Sequence, residues 1–230
     1  MRRMVASLVF AAVAVGLAVS ASAHSVEDLE AILSEEETYF QPIDRAAPDF
    51  VLQTAGGDPV RLDDLRGKVV VLHFIYASCL DICPLHAERL AEVQDMVNQT
   101  PMQEQVRFVT VTTDPGRDVA EVMDGYGPAH GLDPVNWLFL TVAPGQPEDT
   151  TRKLAESYGH SFTSTGEGYQ VHGVVTHIID KEGRWRANFH GLEFDPTNMV
   201  LFINGLTNAE VPHGHPEPDL WDQIRQFFQE

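Results

Sequence analysis

Two cysteines, Cys79 and Cys83, are the only ones in the chain, and they sit in the run Val69–Glu88, VVVLHFIYASCLDICPLHAE. An apolar strand pattern leads into the pair, and a helix pattern leads out of it. Residues i and i+4 share one helix face, so this spacing can aim both sulfurs at one point. A helix N-terminus also favours the thiolate, because unsatisfied N–H groups face it. Two converging soft thiolates suit Cu(I), zinc or a reversible disulfide. A structural zinc site wants four ligands, often from two such pairs, and there is no second pair. The usual dithiol oxidoreductase spacing, C-x-x-C, is one residue shorter. A static bridge across so small a loop would add little stability. Cu(I) accepts two thiolates and one imidazole, so the third donor has to come from among ten histidines.

Most of those histidines have ordinary readings. His86 lies three residues after Cys83 and could share its helix face, but it reads as a solvated helix residue. His73, inside the strand pattern, reads as a satisfied buried histidine. His213-Gly214-His215 lies among prolines and could bind Cu(II) or Zn(II) weakly, although short His-rich tracts are unspecific signals. His24 would offer an amine and an imidazole if cleavage made it the N-terminus. Asp114, Arg117 and Asp118 could line a cation site, but they read better as a turn at Asp114-Pro115 with Asp118 as a helix N-cap.

The surrounding pattern says what positions the cysteines. Ser25–Glu37 reads as a helix, with Ser25 and Asp28 at capping-box spacing. Pro42–Lys68 carries a hairpin signal, with apolar residues flanking Gly56-Gly57-Asp58. Val69–Tyr76 is apolar on both faces, as a buried central strand should be. Pro84 suits a first helical turn. Further strands are expected at 107–112, 137–142, 171–179 and 185–189, the last two as a hairpin. Helices are expected at 118–126, 147–158, 196–206 and 220–228, and a polar loop at 160–169. This alternation predicts an α/β sandwich with a mixed sheet. The cysteines then fall at the C-terminal edge of the sheet, where open α/β sheets build their sites.

The charge is uneven: 15 Lys+Arg against 34 Asp+Glu give −19. No basic face for nucleic acid is visible, and an acidic surface favours basic partners or cations. Residues 1–23 read as a secretory signal, with Arg2 and Arg3, an apolar run and Ala21-Ser22-Ala23 before the cleavage point. The rival is an uncleaved anchor, since about 20 apolar residues can span a bilayer. Either way the expected location is exported or periplasmic, at the inner membrane if the anchor is kept, and disulfides are permitted there. The expected organisation is signal or anchor 1–23, helix and linker 24–46, and a folded domain 47–230.

The motifs resemble, in order, those of the Sco/SenC family. They are Phe50-x-Leu52, Leu65-Arg66-Gly67-Lys68, Phe74 with Cys79-Leu80-Asp81-Ile82-Cys83-Pro84, Val111–Asp118, and Trp137 with Leu140-Thr141. The match covers roughly Ala47–Phe228. The resemblance implies a thioredoxin-like fold, with a central mixed β-sheet flanked by helices and an N-terminal β-hairpin. It also implies copper bound by Cys79, Cys83 and a histidine at the start of a later strand. That histidine falls at His172, 89 positions after Cys83. The implied role is a metallochaperone for a cytochrome c oxidase copper-site subunit or another copper protein, rather than an enzyme. The alternative is a thiol-disulfide oxidoreductase that reduces a partner's copper-site cysteines. No proline precedes Val171, where thioredoxins carry the one that guards their disulfide, and this counts against a general oxidoreductase. Val171 and Gly173 stand where the family has Asp and Ser beside its histidine, His177 where it has an aromatic, and Leu80 where it has proline. His177, five residues after His172, would point to the other side of one strand.

Overall fold

The computed structural model describes residues 25–165 and 168–209, with the side chains of 164–172 outside the description. Helix α1 (Val26–Glu36) starts with the expected box: Ser25 Oγ accepts from the Asp28 N–H, and the Asp28 carboxylate accepts from the Ser25 N–H. Strand β1 (Phe40–Ala46) follows, within a segment expected to be helix and linker. The hairpin β2 (Val51–Thr54) and β3 (Pro59–Arg61) turns at Gly57, whose φ of 87° favours glycine. Next come β4 (Val69–Ile75), α2 (Ile82–Asn98), β5 (Val106–Thr112), α3 (Ala120–Ala129), β6 (Trp137–Thr141) and α4 (Thr150–Ser157). The described chain closes with β7 (Ser161–Thr165), β8 (Gly168–His172), β9 (Val175–Ile179), β10 (Arg184–His190) and α5 (Pro196–Asn208).

Eight strands form one mixed sheet in the order β1-β10-β9-β4-β5-β6-β2-β3. Strands β4, β5 and β6 run parallel, while β9 lies antiparallel to β4. Every residue of β4 is buried, because helices or loops cover both faces of the sheet centre. Val69, Val71 and Ile75 face the layer that includes α1, α2, α3 and α5. Val70, Leu72 and Phe74 face α4 and the β2–β3 side. On α2, Ala87, Leu90, Val93 and Val97 are fully buried at helical spacing. Each of the larger three contributes roughly 1.5–3 kcal/mol by leaving water. This burial holds the helix carrying Cys83 against the strand that leads to Cys79.

Three expectations change. Residues 160–169 are not a loop: β7 and β8 form a separate two-stranded hairpin, with Ser161 opposite His172. The expected strand 171–179 is two strands, broken at Gly173, where φ is 86°. Alternation therefore does not relate His172 to His177. Helix α3 begins at Ala120, later than expected, with Val119 at its N-cap. The described residues contain no helix long and apolar enough to cross a membrane. The expected signal at 1–23, His24, His213, His215 and the helix at 220–228 lie outside the described residues.

Candidate metal centre

The cysteine loop leaves β4 at its C-terminal edge and is held from two sides. The Cys79 N–H donates to the Tyr76 carbonyl at 3.0 Å. The Ala77 N–H donates to Asp118 Oδ2 at 3.0 Å, and the Thr112 hydroxyl donates to the same oxygen. Asp118, expected as an N-cap, is therefore the buried post that ties the loop to the end of β5. On the far side, Tyr126 Oη of α3 donates to the Cys83 carbonyl at 3.1 Å.

Asp81 precedes α2 but makes no side-chain cap. The first-turn N–H groups have no intrahelical partner, and Cys79 Sγ takes one of them, accepting from the Cys83 N–H at 3.4 Å. Both cysteines are unbridged and buried, at 6% and 3% exposure. Burial pushes the Cys79 thiol up, but the N–H groups of Asp81 and Cys83, with the Tyr76 hydroxyl, outweigh it and hold the thiol below its usual range. Tyr76 keeps its proton: burial and its hydrogen bond to Cys79 push it up to about 12. Cys83 goes the other way, raised by burial and by the charges of Cys79 and Asp118. Of the two, Cys79 therefore gives up its proton more readily, and both sulfurs are soft donors once deprotonated.

The mouth of the site is apolar. Leu80, between the cysteines, is 96% exposed. Ile82 and Leu85 on α2, and Val119 and Val122 at the start of α3, also present side chains to solvent.

Topology brings the third expected residue to this edge. His73 of β4 lies opposite Thr176 of β9, and β9 runs antiparallel to β4. The chain therefore enters β9 at the edge from which the Tyr76–Cys79 loop leaves. His172 ends β8 three positions before Val175, where β9 begins. Its side chain lies outside the described residues, and among the described residues no three His, Cys, Asp or Glu side chains form a metal-holding group.

His86 is not the solvated residue expected from its helix position. It is 2% exposed, and its Nε2 is 2.8 Å from Thr176 Oγ1. His73 is buried as expected, with Nε2 3.2 Å from Thr110 Oγ1. Burial lowers His73 to about 3 and His86 well below its usual value, so both are neutral at physiological pH. His160, which the sequence did not single out, lies buried beside His177 on the opposite face of the sheet. Its only signal was its place directly before a strand, and the polar run after it concealed that strand.

The SCO1/SenC family profile matches residues 41–208. A protein of Stutzerimonas stutzeri whose name assigns it copper binding is 29% identical over 181 residues, covering 76% of this chain and 84% of that protein. Among solved structures, BsSco, a member of the Sco family of cytochrome c oxidase assembly proteins, is similar with a TM-score of 0.64 and 20% identity. That similarity covers 74% of this chain and 98% of BsSco. Copper-bound yeast Sco1 has a TM-score of 0.60 at 22% identity, covering 75% of this chain and 96% of that one. At these identities the two structures establish the likeness of fold.

Proposed function

This chain belongs to the SCO1/SenC family, and we propose that it is an exported copper-binding protein serving assembly of the copper centre of cytochrome c oxidase. Cys79, Cys83 and His172 would hold the ion. The observation that carries this reading is the thiol pair itself: Cys79 Sγ rests on first-turn N–H groups, with Cys83 in the same turn, at the edge to which β8 and β9 bring His172. The donor set fits the metal, since thiolates are soft ligands and an imidazole completes a three-donor site for Cu(I). The exposed mouth around Leu80 suits transfer by ligand exchange, in which a partner's own thiol or imidazole enters beside Cys79. A chain of net charge −19 would dock best on a basic partner face, with strong salt dependence. Residues 1–23 would direct export, either cleaved or kept as an anchor.

The asymmetry of the thiols supports a second reading. A Cys79 thiolate can attack a disulfide of the partner's copper site, and Cys83 can then displace the mixed disulfide. The partner leaves as a dithiol, and this chain keeps the Cys79–Cys83 disulfide, to be reduced again by an external thiol. The test is titration of the reduced protein with Cu(I) under a competing chelator, followed by mixing with an apo oxidase copper-site domain. One ion per chain, weakened at least tenfold in His172→Ala and passed on to the domain, is the expected result. Rapid reduction of the domain's disulfide by a chain with no measurable copper affinity would replace the first reading with the second.

A further inference from the structure

The hairpin that carries His172 is a sheet of its own. Strands β7 and β8 pair only with each other, not with the eight-stranded sheet. A lone two-stranded hairpin is marginal in water, so its direction depends on what grips its base. One strand of the base is held just before β9, where the Gly191 N–H, directly after β10, donates to the Val174 carbonyl at 2.8 Å. The other strand of the same base begins just after His160, the residue before Ser161, which faces His172 across the hairpin ladder. His160 Nε2 lies 2.9 Å from His177 Nε2, and both rings are buried.

The donors and acceptors around this pair can be assigned in sequence. Trp185 Nε1 can only donate, and at 2.9 Å it identifies the facing atom of Asn188 as Oδ1. His177 Nδ1, 2.7 Å from the same oxygen, must then carry its proton. A neutral His177 therefore offers a lone pair at Nε2, and His160 must donate its Nε2–H to it. Asn188 Nδ2 in turn donates to Gln41 Oε1 on β1 at 3.1 Å. Each hydrogen bond fixes the next, from the edge strand through β10 and β9 to the base of the hairpin.

We propose that His160 and His177 are positioning residues for the metal site, their Nε2–H···Nε2 bond setting the direction of the β7–β8 hairpin and so the place of His172. The inference rests on His172 being a ligand, as proposed above. The pair does not touch the metal itself; it acts through the hairpin. A ring at 160 without a donor would leave the hairpin base unpinned and the buried His177 Nε2 without its partner.

The experiment compares His160→Phe with His160→Gln in the full chain, since a glutamine amide can restore a donor near the Nε2 position. Amide hydrogen exchange of the metal-free protein is measured first. The expected result is at least tenfold faster exchange across 161–172 in His160→Phe, with β4 and β5 amides unchanged and protection recovered in His160→Gln. Copper is then added. His160→Phe should weaken Cu(I) binding several-fold and alter the thiolate-to-Cu(II) absorption in the same sense as His172→Ala, and His160→Gln should restore both. Unchanged hairpin exchange overturns the inference, as does an equal rise in β4 and β5, which would mean a role in general stability alone. Copper loss in His172→Ala with none in His160→Phe overturns it too. No copper loss in His172→Ala removes the ligand assignment on which the inference rests, and is recognised separately by that variant.

Discussion

Acidification from about pH 7.5 to 5 should destabilise this domain, and three buried imidazoles set the steepness. His73, His86 and His177 are at most 2% exposed, and burial holds all three neutral in the folded chain. In the unfolded chain each titrates near the ordinary histidine value, about 6.5. Their folded pKa values are depressed, so the unfolded state binds more protons as the pH falls. The stability they contribute is complete above the unfolded value and is lost on the way down to the folded one. For His73 that window runs from 6.5 to about 3. At about 1.4 kcal/mol per pH unit, His73 alone costs about 2 kcal/mol by pH 5. His86 and His177, also held neutral by burial, add to this loss in the same direction and steepen it. Domains of ordinary stability have roughly 5–15 kcal/mol to lose. Asp118 and Glu30, whose pKa values burial raises, act in the opposite sense: their contribution to stability is complete below the unfolded carboxylate value of about 4 and is lost as the pH rises through their folded values. Urea unfolding followed by circular dichroism across this range measures the slope directly. His73→Phe should remove about 1.4 kcal/mol per pH unit of it. A slope of that size or smaller in the unaltered protein would refute the argument, because it would mean that the imidazoles gain protons without unfolding.

Three further outcomes concern the site. Iodoacetamide should label Cys79 before Cys83 at neutral pH, with the two modification sites resolved by peptide mass, because N–H donors outweigh burial at Cys79 and burial outweighs them at Cys83; equal labelling would contradict that asymmetry. Asp118→Ala should lower stability by about 2 kcal/mol, since it strands the Ala77 N–H and the Thr112 hydroxyl, while Asp118→Asn, which keeps an acceptor oxygen, should cost much less in the same urea titration. Leu80→Ser should leave copper affinity and urea midpoint unchanged yet slow metal passage to an apo oxidase domain, as measured by stopped-flow mixing, because this 96% exposed side chain has nothing to support within its own chain.

The cysteine run was legible because its signals agree. A continuous apolar strand, a loop with two thiols and a proline in the first helical turn all specify one strand-to-helix junction, and β4 and α2 form it. The buried polar residues were not legible, because their roles depend on partners distant in sequence. Asp118 has the composition of a helix cap, yet it accepts from Ala77, 41 positions earlier, and its local helix starts without it. His86 looks exposed on helical periodicity alone, but the antiparallel register of β9 brings Thr176 beneath it. His177 is the most instructive residue. It occupies a position where the Sco/SenC pattern has an aromatic, and its ring does pack among Phe74, Tyr158 and Trp185 as an aromatic would. The imidazole keeps that packing and adds one donor and one acceptor, so a position that only fills the core in the family pattern can here also hold the base of the hairpin through His160. The departure from the family pattern at His177 is thus physically consistent with the copper reading. Where Val171 and Gly173 replace the polar neighbours expected beside His172, the restraint on that histidine can come from beneath the hairpin.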